Sequence, residues 1–110
     1  MTTHSHTGLL KALNNCAAAC HFCAVSCLDE PAVANLVACI KTDLDCAAIC
    51  LAAHGFVSRI SPHAPHVLRE CAEICALCAA ECEKHAAHMD HCRLCAEACR
   101  ACEEACRQAA

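Results

Sequence analysis

Cys71-Ala72-Glu73-Ile74-Cys75-Ala76-Leu77-Cys78-Ala79-Ala80-Glu81-Cys82 is the stretch whose reading decides the fold. Its cysteines advance in steps of 4, 3 and 4. These are the a/d steps of a heptad, so all of these thiols lie on one face of an α-helix. The same signature recurs in Cys16, Cys20, Cys23 and Cys27, in Cys39, Cys46 and Cys50, and in Cys92, Cys95, Cys99, Cys102 and Cys106. Every step within a group is 3, 4 or 7, and together the groups contain all 16 cysteines. Disulfide and zinc frameworks built on turns use irregular or short paired spacings, so the pattern predicts four helices, each with a thiol stripe.

Punctuation between the stripes agrees. Asp29-Glu30-Pro31 closes one helix and opens the next, with Pro31 in a first turn, where its missing N–H does no harm. Gly55 is the expected C-terminal stop of the second helix. Ser61-Pro62 and Pro65 open the third, and Met89-Asp90 supplies a break and an N-cap for the fourth. The expected spans are 7–28, 31–54, 63–85 and 90–108. Short connections favour antiparallel neighbours, which predicts an all-α, antiparallel up-down-up-down four-helix bundle with a cysteine-lined core, one domain over 1–110. Asp43, four residues after Cys39 and three before Cys46, takes the phase of a stripe cysteine.

Composition limits the alternatives. Leu, Ile, Val and Phe together make up just under a fifth of the chain, a level at which disorder is a candidate. A net charge of only −4, 2 Gly, 3 Pro and Ala-rich apolar periodicity reject it. Something other than large aliphatics must fill the middle. With 8 Lys and Arg against 12 Asp and Glu, and no Trp or Tyr, neither a phosphate-neutralising patch nor a base-stacking platform is visible, so nucleic acid is not an expected partner. The polar start Met1-Thr2-Thr3-His4-Ser5-His6-Thr7 lacks the features of a secretory signal, and no uncharged apolar run reaches the roughly 18 residues of a membrane helix. A soluble, cytoplasmic protein with no membrane association is expected, in a compartment that keeps thiols reduced. No nucleophile is singled out with a base and an orienting partner, so no enzyme is expected.

Three uses of the stripes compete. Packing alone does not require cysteine at every inward position, since Ala or Val would serve without risk of oxidation. Disulfides along one helix are strained, because side chains at i and i+4 have Cβ atoms about 5–6 Å apart, against the roughly 3.5–4.5 Å that a disulfide prefers. A metal ion between two sulfurs spans such a gap, and thiolates select Cu(I), zinc or iron-sulfur clusters. Charge separates these. If each Cu(I) replaces one thiol proton, the core stays neutral, whereas tetrahedral zinc sites of four thiolates each leave half the thiolate charge uncompensated, and buried charge is very costly. Multiple Cu(I) ions, about one per thiolate, are therefore favoured. A metallothionein-like zinc buffer and a thiol redox or structural protein remain the alternatives.

The four runs, Cys16-x3-Cys20-x2-Cys23-x3-Cys27, Cys39-x6-Cys46-x3-Cys50, Cys71-x3-Cys75-x2-Cys78-x3-Cys82 and Cys92-x2-Cys95-x3-Cys99-x2-Cys102-x3-Cys106, resemble those of the cytosolic bacterial copper storage proteins. The resemblance covers nearly the whole chain. It implies a Cys-lined four-helix bundle holding many Cu(I) ions, assembly as a homo-oligomer, commonly a homotetramer, and histidines near the end where copper enters. A copper chaperone or exporter is the partner class such a store implies.

The residues also separate the two ends of the bundle. Beyond Cys16, Cys50, Cys71 and Cys106, the stripes bring Leu9, Leu13 and Leu68 inward as an apolar plug. At the opposite end, near Cys27, Cys39, Cys82 and Cys92, they run into His85 and His88, with His91 beside Cys92, Leu36 close by and Asp43 about one turn deeper than Cys39. The mouth is expected there, with His85, His88, His91 and Asp43 as candidate metal ligands beside the cysteines. His54, and His6 in phase with Leu9, lie toward the plugged end, while His4, His6, His63 and His66 read as plain surface residues. Outward Phe22, Ile49, Ile74, Leu77 and Leu94 point to self-association.

Overall fold

In a computed structural model of the chain, residues 4–110 are described, with side chains from residue 6 onward. Four helices follow one another: α1 His4–Leu28, α2 Val37–Ser58, α3 Ala64–Glu83 and α4 Asp90–Ala109. A short 3-10 turn, Val33–Leu36, leads into α2. The described residues contain no strand.

The helices form a ring in which each packs on its two neighbours: α1 on α2 and α4, and α3 likewise on α2 and α4. Sulfur contacts give the directions. Along α2 and α3, Cys39 meets Cys82, Cys46 meets Cys75 and Cys50 meets Cys71, so the helices run in opposite senses. Cys16 on Cys99, Cys20 on Cys95 and Cys23 on Cys92 show the same for α1 and α4. The long axis extends 49 Å, against 19 and 17 Å across.

The core is sulfur at its centre and alanine at its seams. All 16 cysteines have no exposed surface. Ala17, Ala24, Ala47, Ala72, Ala79 and Ala96, each directly following a cysteine, are buried where neighbouring helices meet. A methyl group at those flanking positions lets the backbones approach closely, and close approach brings thiols of different helices into contact. At one end Leu9, Leu13 and Leu68 are buried as the stripes required, joined by Val57. At the other, Leu36 is buried.

The punctuation differs from expectation at two junctions. The second α-helix begins at Val37 instead of 31, because Pro31 lies in a turn and the 3-10 segment after it swings Leu36 into the core. Gly55 does not end α2, which continues to Ser58 and so carries Val57, four residues beyond the buried Ala53, into the plug. The stop is a Schellman arrangement. Ser61 N–H donates to Phe56 C=O at 3.0 Å and Ile60 N–H to Val57 C=O at 3.0 Å, with Ile60 at φ 54. A β-branched residue takes the left-handed position that glycine normally fills. The third and fourth helices start close to expectation: Pro65 sits in the first turn of α3, Ser61 Oγ accepts the His63 N–H at 3.1 Å, and Met89 takes the N-cap position with Asp90 in the first turn of α4. Of the outward apolar residues, Phe22, Leu77 and Leu94 are exposed, whereas Ile49 and Ile74 are half-buried against the core. These two lie at the edge of the inward face and not opposite it.

Ile60 is 71% exposed, so its side chain contributes little packing. Ile60→Gly should therefore stabilise the apo bundle by about 1 kcal/mol through relief of the left-handed conformation, read as a higher midpoint in chemical denaturation.

Candidate metal centre

Four stripes projected onto a common axis give a continuous column of sulfur. Each thiol lies near sulfurs on other helices. Cys16 Sγ is 3.7 Å from Cys46 and 3.7 Å from Cys99, Cys46 is 3.6 Å from Cys75, and Cys50 is 3.8 Å from Cys71 and 3.9 Å from Cys102. Farther along, Cys20 lies 3.7 Å from Cys95 and Cys39 lies 3.5 Å from Cys82. All sixteen are free thiols. These separations are far beyond the S–S bond of about 2.05 Å. They do match ion sharing: metal–thiolate bonds of about 2.3 Å place two sulfurs about 3.8 Å apart at a tetrahedral ion and about 4.6 Å apart at a linear one.

The sulfurs gather into overlapping groups of four. Cys16, Cys46, Cys50 and Cys75 form one, Cys50, Cys71, Cys75 and Cys102 another, and Cys20, Cys78, Cys95 and Cys99 a third, with ligand atoms in each group within 4.8 Å of one another. Cys23, Cys27, Cys39 and Cys92 form the outermost group. Cys50 and Cys75 belong to two of these groups, so the column is a continuous ligand field in which neighbouring sites share sulfurs.

Asp43 is the one polar or charged residue among the buried described residues. Its Oδ1 accepts hydrogen bonds from Cys78 at 3.2 Å, Cys95 at 3.3 Å and Cys82 at 3.5 Å, while Oδ2 faces Cys39 at 3.9 Å. It thus stands in the stripe where the sequence places it. Burial, and then the neighbouring Cys95 and Cys78, push its carboxyl up to about 12. Asp43 is therefore a neutral acid in the apo protein.

Toward the expected mouth, His91 is the histidine that reaches the thiols. Its Nδ1 lies 3.6 Å from Cys92, 3.7 Å from Cys23 and 3.8 Å from Cys27, and its Nε2 is 3.0 Å from Glu30 Oε2. Burial opposes protonation of this imidazole, but the hydrogen bonds to Cys23 and Glu30 outweigh it and hold its pKa above the usual histidine value. His85 is half-buried, 4.0 Å from Glu81 Oε2, with its Nε2 enclosed and without a hydrogen-bond partner. His88 is exposed. Of the three, His91 is thus brought to the sulfurs, His85 is half-buried near Glu81 at the end of α3, and His88 faces solvent.

At the plugged end, His54 pairs with Asn14 at 3.3 Å and with Ser58 at 3.5 Å, and His6 is half-buried. His63 and His66 are exposed, and the side chain of His4 lies outside the described residues. Glu30 and Met89 are the residues near the mouth that sequence reading assigned only to helix punctuation. Met89 packs against the core and Glu30 against His91. No spacing could have revealed the second contact, which joins residues 61 apart in the chain.

A helical bundle with a dry thiol column and one carboxyl in the column defines a protein built to hold soft metal ions. The copper storage protein family model matches residues 2–110, and the chain belongs to that family. It is similar to a cytosolic copper storage protein from Streptomyces lividans, solved with five coppers, at 44% identity and a TM-score of 0.92, covering 96% of this chain and 91% of that one. It is also similar to the Cu(I)-bound copper storage protein BsCsp3, at 38% identity and a TM-score of 0.89, covering 94% and 96% of the two chains. The uncharacterized cysteine-rich protein YhjQ of Bacillus subtilis (strain 168) is 40% identical over 88 residues, 80% of each chain. This is a family of storage proteins, not of enzymes.

The raised carboxyl of Asp43 fixes the sign of a pH effect. The folded apo protein keeps the proton up to about 12, while the unfolded chain releases it near 3.8. Burial of this group therefore becomes more destabilising as pH rises from about 4. Asp43→Asn should lessen the loss of apo stability between pH 5 and pH 8, with the two proteins closest at pH 5. Urea denaturation of both at each pH measures it.

Proposed function

We propose that this protein stores Cu(I) in the cytosol, taking up about one ion per thiolate along the sulfur column. The observation that carries the reading is the set of sixteen buried free thiols, in contact at 3.5 to 4.0 Å and, among the described residues, without a buried cation to balance anionic metal sites. A monovalent ion that displaces one thiol proton leaves such a core neutral. Divalent zinc at four thiolates per ion does not, and the cost of uncompensated charge in a dry core weighs against a zinc buffer. The uniform burial of the thiols, with no exposed pair distinguished among them, weighs against a redox role.

The ligands are Cys16, Cys20, Cys23, Cys27, Cys39, Cys46, Cys50, Cys71, Cys75, Cys78, Cys82, Cys92, Cys95, Cys99, Cys102 and Cys106. Asp43 joins them when its proton leaves. His91, in reach of three outer thiols, takes copper at the mouth, with His85 and His88 in the same loop region as outer relays. Residues 1–110 act as one storage domain that buffers copper or limits its toxicity. No helix among the described residues is long and apolar enough to cross a membrane. Exposed Phe22, Leu77 and Leu94, with Val37, Leu44 and Leu51 in steps of seven along α2, support a homo-oligomer, the homotetramer expected from the family. A copper chaperone or exporter exchanges ions with the store.

Anaerobic titration against a competing Cu(I) chelator tests the reading. Uptake near one Cu(I) per thiolate is expected, whereas saturation at about four Zn(II) with little Cu(I) would establish the zinc buffer instead. Because the metal binds the folded bundle, the melting temperature should rise by more than about 10 °C at saturation. Replacing His85 and His88 together by Ala should change the rates of uptake or release more than total capacity. A large loss of capacity at unchanged rates would refute their placement on the uptake route.

A further inference from the structure

The turn after α1 and the first turn of α4 are joined at the mouth by a side-chain contact. Glu30 lies in the turn after α1, its backbone fixed by Glu30 N–H donating to Cys27 C=O at 3.2 Å and by Val33 N–H donating to Glu30 C=O at 3.2 Å. His91 lies in the first turn of α4. Glu30 Oε2 and His91 Nε2 are 3.0 Å apart, with side chains 31% and 12% exposed. The opposite edge of the imidazole is directed at sulfur, since Nδ1 lies 3.6 to 3.8 Å from Cys92, Cys23 and Cys27. An imidazole has only two nitrogens. One held by a carboxylate acceptor leaves the other as the ligand atom.

We propose that Glu30 is a positioning residue for copper uptake: its carboxylate accepts the Nε2–H of His91, fixing the tautomer and the ring plane so that the Nδ1 lone pair faces the outermost thiol group. The role rests on the reading of His91 as the copper-accepting histidine. Outer hydrogen bonds of this kind orient metal-binding imidazoles and raise their basicity. Here the acceptor also closes a geometric problem. The ring is attached at the start of α4, beside Cys92, while two of its three sulfur neighbours, Cys23 and Cys27, belong to α1. Glu30, three residues beyond Cys27, holds the imidazole across that helix boundary. An Arg or Lys at this position would leave no acceptor, and a carboxylate one turn away would turn the ring.

Stopped-flow loading of the full-length apo protein, with Cu(I) delivered from an anaerobic complex with a chromophoric bidentate chelator, tests the role beside a copper-free measurement. Glu30→Ala should slow the fast phase of uptake about tenfold with final capacity unchanged. Glu30→Gln, whose amide oxygen still accepts the Nε2–H, should stay within about twofold of wild type. In a His91→Ala background, Glu30→Ala should have no further effect. Nitrogen-15 NMR of the apo proteins should find neutral His91 carrying its proton on Nε2 in wild type and in Glu30→Gln, and a mixture of tautomers in Glu30→Ala. Slow loading by His91→Ala with wild-type loading by Glu30→Ala, or an unchanged tautomer in Glu30→Ala, would overturn the positioning role alone. Wild-type loading by His91→Ala would overturn the histidine route and the positioning role together.

Discussion

Contact between thiols across helices is the constraint on which the rest of the structure depends. A sulfur column with neighbours at 3.5 to 4.0 Å forms only if four backbones come close enough. The sequence achieves this with alanines, such as Ala47, Ala72 and Ala79, that directly follow cysteines and are completely buried at the seams. A leucine at any of those positions would gain apolar burial yet push the helices apart, and the sulfurs would then lie beyond the span of a shared ion. Placement of metal sites therefore takes precedence over packing energy. Large aliphatics are left to the ends: Leu9, Leu13, Val57 and Leu68 at one, Leu36 at the other.

A dry column also restricts charge. With no Lys, Arg or His among the buried described residues, anionic sulfur inside the column has no buried counterion, so each thiolate there must appear together with the cation it binds. The raised carboxyl of Asp43 follows from the same restriction. It accepts S–H donors from Cys78, Cys82 and Cys95, two on α3 and one on α4, and so links three thiols that a cysteine at this position, with its weak acceptor sulfur, would bind less firmly. As protons leave these thiols, that link turns from attraction to repulsion unless metal replaces them. Proton release and ion uptake are in this way coupled by the absence of any other compensating charge.

Elements governed by local periodicity were legible in the sequence. Steps of 3, 4 and 7 place every cysteine inside, its phase places Asp43 among them, and Leu9, Leu13 and Leu68 are buried beyond the stripes. Elements governed by competition between local and tertiary preferences were not. Gly55 is a good stop in isolation, but burying Val57 extends α2 by a turn and imposes the left-handed conformation on Ile60. Pro31 is a good first-turn residue, but Leu36 reaches the core only if a 3-10 segment intervenes. The contact between Glu30 and His91 has no periodic signature at all. It arises because the turn after α1 and the start of α4 meet at one end of the bundle.

The difference between the two ends follows from what each must permit. Where α1 starts and α2 ends, Leu9, Leu13, Val57 and Leu68 are buried, giving the bundle an apolar anchor independent of metal. At the other end an equally greasy seal would protect the thiols from oxidation but also block the ions. The structure instead uses mixed closure. Leu36 is fully buried there, while His91 is half-buried and held by the partly exposed Glu30. An imidazole suits this boundary because it tolerates partial burial, binds soft and borderline metals, and is neutral when it does so. A carboxylate or ammonium in the same place would attract or repel ions by charge without distinguishing copper from the hard cations that outnumber it. On the reading proposed above, selectivity for a soft ion begins at the surface, before the first sulfur is reached.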